Sequence, residues 1–362
     1  MPSIDLIVEV TGCPTICRHC WVLGTPYGAM PVEDVAFVLE TAHRWCDANG
    51  VRFGAFPMHE VAGHPQAADV IRRFAEHDWV RAPFQPFTTT GVPLALRDDW
   101  REVLAAAAQT GTTVGWVALH GFGAEHDRMV GRPGAFAETC LGIDRIHAAG
   151  MEVGCNVFVT SANASQVVEM AATLTRLKVE EECWQPAASY PHARSRRYER
   201  LRAGLEDLRP FATEIGARSG FYKQQWGDLE RWTEGAWVRR ALSGDWPRLP
   251  DSDPEEALLV CRPNLDVHFG RAGLHGERFG NLRLDGVEKT IQAALKACGR
   301  SLDELWVPPE RLRPVPELAA NHGRIEGDRL HFDGESVRYL WLDRMLDSIA
   351  DARQCDSAVA AE

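Results

Sequence analysis

The stretch Gly12-Cys13-Pro14-Thr15-Ile16-Cys17-Arg18-His19-Cys20-Trp21 carries three cysteines at C-x3-C-x2-C spacing, directly after an alternating apolar run over residues 4–10. Three thiolates so close together, on a loop leaving a strand, can converge on one point. A structural zinc site takes four ligands, commonly in paired spacings. Three cysteines suit an iron–sulfur cube that keeps one iron free for a small molecule. A zinc knuckle completed by His19 or a distant residue, and a chance grouping among the ten cysteines of the chain, are the alternatives.

The 362 residues are 45% hydrophobic and 25% charged, the composition of a globular protein of one large or two smaller domains. No apolar run approaches the ~20 residues that span a bilayer. Asp5 and Glu9 interrupt any signal-peptide layout. A cytoplasmic location is the expectation, and in a reducing compartment cysteines serve as ligands and core residues rather than disulfides. A formal net charge of −12 speaks against a general nucleic-acid binder. Arg194, Arg196, Arg197, Arg200 and Arg202 form a basic patch, read as the solvated face of a helix, with a phosphate or carboxylate of the substrate as the alternative partner.

Strand-like and helix-like stretches alternate through residue 216, the pattern of βα units on a parallel sheet. The strands are expected at 4–10, 51–56, 84–89, 114–119, 153–159 and 182–186. The helices are expected at 31–48, 66–77, 98–109, 133–149, 165–177 and 194–215, the last kinked or split by Pro210. Six such units fit a partial (β/α)6 TIM-like barrel over residues 1–216, an α/β fold whose chemistry sits at the C-terminal ends of the strands. The cysteine loop falls at the end of the first strand. Residues 217–256 read as a linker whose tryptophans (Trp226, Trp232, Trp237, Trp246) pack on the barrel, an aromatic substrate wall being the alternative. Residues 257–352 read as a small α+β C-terminal extension. It comprises a strand pair at 257–261 and 265–269, a helix at 286–297, a hairpin (324–325 with 329–332) and an amphipathic helix at 336–352. Residues 353–362 read as a disordered tail.

The cysteine spacing followed by Trp21 resembles the signature of the radical S-adenosylmethionine (SAM) superfamily. The resemblance implies a [4Fe–4S] cluster on Cys13, Cys17 and Cys20. SAM would chelate its open iron, and reductive cleavage would give a 5′-deoxyadenosyl radical that abstracts hydrogen from a substrate. Further stretches carry the resemblance. Phe56-Pro57-Met58-His59-Glu60 stands where the family has Gly-Gly-Glu, which implies that Glu60 binds the SAM amino group; both glycines are replaced. Thr88-Thr89-Thr90-Gly91 resembles the Thr-Asn-Gly turn near SAM and makes Thr90 a contact. Ala118-Leu119-His120-Gly121 stands where relatives carry Ser-Leu-Asp-Gly, so a serine contact is missing. Glu125 to Phe136 resembles a stretch of members that carry a SPASM/twitch domain, in which an Asp and an Arg organise the loop and helix after the fourth strand. Arg128 and Arg132 are candidates for the SAM carboxylate, against a surface Asp–Arg pair.

On the fifth and sixth strands Asn156 is expected to bond SAM ribose or backbone, and Trp184 and Gln185 to border adenine or substrate. Cys155 and Cys183 are candidate hydrogen-atom donors, against the plainer reading of core cysteines. Residues 260–270 and 279–282 resemble a degenerate SPASM/twitch region, with His268 and His275 as possible contacts. Cys261, Cys298 and Cys355 are too scattered for an auxiliary cluster, so one cluster is expected, and with it redox-neutral chemistry such as epimerisation, rearrangement or elimination. Because the cysteine loop begins at residue 13, little room for an N-terminal cobalamin or peptide-recognition domain is expected. The leading reading is a radical SAM enzyme acting on a small molecule or peptide in natural-product tailoring, reduced by a flavodoxin or ferredoxin. A non-catalytic or regulatory iron–sulfur protein on a decayed barrel and a zinc-binding structural protein are the alternatives.

Overall fold

A computed structural model describes residues 2–20, 28–58, 60–76, 87–187, 199–242, 256–269, 278–296 and 327–332. In chain order its main elements are β1 (Ser3–Glu9), α1 (Val32–Ala48), β2 (Arg52–Met58), α2 (Ala67–Ala75), β3 (Phe87–Thr88), α3 (Val92–Leu96), α4 (Trp100–Gln109), β4 (Val114–Leu119), α5 (Ala124–Val130), α6 (Ala135–Ala148), β5 (Glu152–Val159), α7 (Val167–Arg176), β6 (Glu181–Pro186), β7 (Glu256–Cys261), β8 (Asp266–Phe269) and β9 (Arg278–Asn281). The strands fall into a sheet ordered β2-β1-β7-β8-β9 and a sheet ordered β3-β4-β5-β6. All pairs among β1 to β6 are parallel, as is β1 with β7; β8 and β9 run antiparallel. The fold is therefore mixed α/β with successive βα units, consistent with a partial barrel. Among the described residues no ladder joins the two sheets.

Each helix buries one stripe on the strands. In α1 the stripe is Val35, Val38, Leu39, Ala42 and Cys46, the three-and-four spacing of an amphipathic helix. Ile4, Leu6, Val8 and Val10 of the first strand face this layer, whereas Ile7 packs on the other side with Val260 and Phe56. Strand alternation thus gives a helix-facing side and an inner side. Gly154 of β5 lies under Trp116 of β4, and a Cβ there would stand 2.4 Å from the indole. That glycine lets the large ring lie flat on the inner side.

Three expectations change. The strand pair expected at 257–261 and 265–269 forms, but β7 also pairs with β1 from Ser3↔Glu256 to Val8↔Cys261. The sheet therefore runs across the boundary expected at residue 257. Residues 199–218 are several short turns and helices, ending in Ala212–Arg218, rather than one long helix. Pro210 supplies one break, because it lacks an N–H for the ladder. Arg202 is not on a solvated face. It is fully buried and donates to Glu234 Oε2 at 2.7 Å. The 329–332 arm of the expected hairpin also makes two bridges to distant segments. Arg329 bridges Gly204 and Leu330 bridges Thr233, both antiparallel.

The expected linker carries helices Lys223–Gly227 and Glu234–Leu242. Trp226 and Trp237 are buried and donate to the carbonyls of Trp184 (2.9 Å) and His331 (3.0 Å). They pack on the body of the fold. Trp246, the 324–325 arm, the 336–352 helix and the 353–362 tail lie outside the described residues. No described helix is long and apolar enough to cross a membrane.

Candidate functional site

The cysteine loop leaves the C-terminal end of β1 and is held by the end of α5. Ile16 N donates to Val130 O and Arg18 N to Met129 O, both at 2.9 Å. Gly131 closes α5 at φ +69°, and a Cβ there would lie 2.8 Å from Ile16 Cγ1 and 3.1 Å from its carbonyl oxygen. Buried Thr15 places its hydroxyl 3.0 Å from Cys13 Sγ and 3.4 Å from Cys17 Sγ. Cys20 N donates to Cys17 O at 3.2 Å, turning the third thiol back towards the second. All three cysteines are half-buried thiols outside any disulfide.

Burial, and for Cys13 the Glu60 carboxylate next, push the Cys13 and Cys17 thiols up to about 12. Cys13 and Cys17 are therefore neutral thiols in the absence of a cation, and metal binding there has to displace protons. Among the described residues no three His, Cys, Asp or Glu side chains converge tightly enough for a single ion. Three thiols carried by one loop, two of them against a shared hydroxyl, are a donor set suited to a polynuclear cluster.

The neighbouring strand ends add polar groups. Glu60, buried just beyond β2, accepts from Thr89 Oγ1 at 2.6 Å and from Thr90 N. Thr89 Oγ1 in turn accepts from Gly91 N at 3.0 Å. These bonds lock the ends of β2 and β3 together beside Cys13. Thr90 Oγ1 is buried there with no hydrogen-bond partner. His59 and the side chain of Met58 lie outside the described residues. A cleft of about 630 Å³ adjoins Cys13, bounded by Gly12, His64, Pro93 and Arg97 among others.

At the end of β4 His120 stacks flat on Phe158 (centroids 4.9 Å apart, 6° between planes) and meets the His19 ring at 4.4 Å. Burial pushes the His120 imidazole well below its ordinary value, helped by His19 and His126. Burial likewise lowers His126 to about 4, and its Nδ1 accepts from His120 N at 3.2 Å. Sequence reading did not single out His120 and Phe158. The alternation Trp116, Ala118, His120 was the available signal, since it puts all three on one side of an extended chain.

Register decides which candidates face inward. Ala118 pairs with Asn156, Asn156 with Cys183, and Phe158 with Gln185. Phe158 carries the His120 stack, so Asn156, Cys183 and Gln185 share the inner side, and Gln185 Nε2 lies 3.7 Å from Cys183 Sγ. Cys155 and Trp184 belong to the opposite side. Both are fully buried in the helix-facing core, and Trp184 Nε1 donates to Glu182 at 2.6 Å. Cys155 and Trp184 thus both face away from the inner side.

Asp127 organises the stretch after β4. It accepts from Gly134 N (2.6 Å) and Phe136 N (2.8 Å), capping α6. Arg128 binds Glu125, and Arg132 forms a two-pronged pair with Glu138 at 2.6 and 2.9 Å. Neither guanidinium is directed at the cysteine loop by these bonds. Cys261 is buried in the core, and His268 sits on β8 opposite Val260. His275, Cys298 and Cys355 lie outside the described residues.

No protein-family model and no curated protein matches the chain. Among solved structures it is similar to anSMEcpe with bound AdoMet (that is, SAM), at 12% identity and a TM-score of 0.54, covering 95% of this chain and 99% of that one. It is similar to the same protein with AdoMet and a peptide, at 13% identity and 0.53, covering 97% and 100%. It is also similar to Streptococcus suis SuiB bound to the precursor peptide SuiA, at 11% identity and 0.51, covering 84% of this chain and 66% of that one. With strand order and the position of the cysteine loop already established, these likenesses agree on one point: the chain shares its overall fold with anSMEcpe and SuiB.

Proposed function

We propose that the protein is a radical SAM enzyme that binds one [4Fe–4S] cluster on Cys13, Cys17 and Cys20 and SAM beside it. The observation that carries this reading is the placement of three thiols on one loop at the strand ends, next to Glu60 and a buried Thr90 hydroxyl that lacks a partner. When bound, the two groups supply one-electron cleavage of SAM and removal of a hydrogen atom from a substrate carbon.

The residues of the chain have separate tasks. The cysteines bind as thiolates, with Thr15 between two of them. Glu60 offers a carboxylate to the SAM ammonium, a charge-assisted bond, and Thr90 offers the unpaired hydroxyl. Asn156 contacts the nucleoside from the inner side. Cys183 and Gln185 line the space left for substrate, and Cys183 is retained as the candidate hydrogen donor. Arg128 and Arg132 shape the α5–α6 loop through Glu125 and Glu138 in preference to the SAM carboxylate. The substrate is a small molecule or a peptide. Peptides in two of the similar structures support the second. A redox-neutral reaction in natural-product tailoring, a flavodoxin or ferredoxin as reductant, and a degenerate SPASM-like role for residues 257–352 complete the reading.

The test is anaerobic. The protein is reconstituted with iron and sulfide, reduced, given SAM, and assayed for 5′-deoxyadenosine by mass spectrometry, with Cys17→Ala as the blank. About four irons per chain and cysteine-dependent product are expected. A full cluster that neither binds nor cleaves SAM would overturn the enzyme reading, and stoichiometric zinc without sulfide would overturn the cluster.

A further inference from the structure

Of the unpaired buried polar atoms at the strand ends, Thr90 Oγ1 already has a task. His120 Nδ1 does not. Its residue is only 3% exposed, so water does not replace the missing partner easily. The ring is held from several sides. The backbone N–H of His120 is bound to His126 Nδ1 at 3.2 Å, and its carbonyl accepts from Asn163 Nδ2 at 2.8 Å. One face lies flat on Phe158, and the His19 ring stands 4.4 Å away. A phenylalanine would fill this stack equally well and would leave no polar atom unpaired. The nitrogen makes physical sense where a bound molecule completes its hydrogen bond.

The place of that molecule follows from His19, which lies between Cys17 and Cys20 on the loop. A molecule seated on the three thiols rests against the loop whose His19 ring meets His120. On the reading above, that molecule is SAM. We infer that His120 is a SAM-binding residue whose Nδ1 hydrogen-bonds a hydroxyl or amino group of SAM seated on the cysteine loop. The inference rests on the proposed function and goes beyond it, because it assigns a contact to the end of β4, where Ala118 offers none.

The experiment uses the full chain, reconstituted anaerobically, with iron and sulfide content and the SAM dissociation constant measured by equilibrium dialysis. His120→Phe keeps the stack and removes the nitrogen. His120→Asn returns an amide near the Nδ1 position. The expected result is a full cluster in both variants, SAM affinity weakened about tenfold in His120→Phe, as for the loss of one hydrogen bond, and most of the affinity restored in His120→Asn. A His120→Phe affinity within threefold of the unchanged protein overturns the inference while leaving the proposed function standing. Absence of SAM binding by the unchanged, cluster-loaded protein overturns both. Should His120→Phe fail to hold its cluster, His120→Met replaces it under the same two criteria.

Discussion

Gly131 supports the cysteine loop from outside. Its φ of +69° is the left-handed region, which costs an L-residue about 1–2 kcal/mol, and the space above it is taken by Ile16. Gly131→Ala is expected to lower stability by about 1–3 kcal/mol in urea unfolding. On the proposed function it should also speed iron loss to a chelator, because the displaced Ile16 lies between Cys13 and Cys17. Unchanged iron retention would show that the loop is independent of α5. His126 adds a pH dependence. In the folded chain it is held at about 4, against about 6.5 when unfolded. Above pH 6.5 both states are neutral and its contribution is level. As pH falls below 6.5 the unfolded state alone takes the proton, so stability drops until about pH 4, by roughly 3 kcal/mol at most. Urea midpoints at pH 7 and pH 5 should therefore differ, and less so in His126→Asn, whose amide oxygen can still accept from His120 N.

The α5–α6 connection acts as one piece of scaffolding. The end of α5 holds the loop through two carbonyls, and Asp127 of the same helix caps α6 by two short bonds. Removing a capping carboxylate costs about 1–2 kcal/mol. Asp127→Ala is expected to lose that much in chemical unfolding, whereas Asp127→Asn, which keeps one acceptor, loses less. Equal losses in the two would mean that charge rather than the cap geometry is what matters. The same element logic separates two cysteines that look alike in sequence. Cys155 and Cys183 sit on adjacent strands, yet pleating turns one into the helix layer and the other to the inner side.

Across the whole molecule, the late segments tie the fold together. β7 continues the first sheet along β1, and residues 327–332 lie between the 202–205 and 232–235 stretches. At their junction Arg202, Glu234 and His331 are buried together. Breaking a buried ion pair from one side costs about 3–5 kcal/mol, because the other charge is left in a dry site, while replacing both partners by apolar groups is close to neutral. Glu234→Ala is expected to show the larger loss in urea unfolding, and Arg202→Met with Glu234→Leu most of the recovery. A double variant no more stable than Glu234→Ala would mean that residues 327–332 depend on the ion pair itself.

Local pattern determined a good deal here. The cysteine spacing, the alternation of six strand and helix stretches, and the match of β4 to residues 114–119 are properties of neighbours in the chain, where period and spacing carry the information. The loop could be placed at a strand end for the same reason. Four decisions needed the tertiary structure. Parallel strands buried on both sides are apolar on both, so alternation groups Asn156 with Phe158 without saying that this group faces inward. Arg202 looked solvated because its partners, Glu234 and His331, are far away in sequence. The union of β7 with β1 joins residues some 250 apart, and the unpaired nitrogen of His120 exists only because β5, the cysteine loop and α5 close around it. Backbone periodicity is written locally; burial and unmet hydrogen bonds are decided by what the distant chain brings alongside.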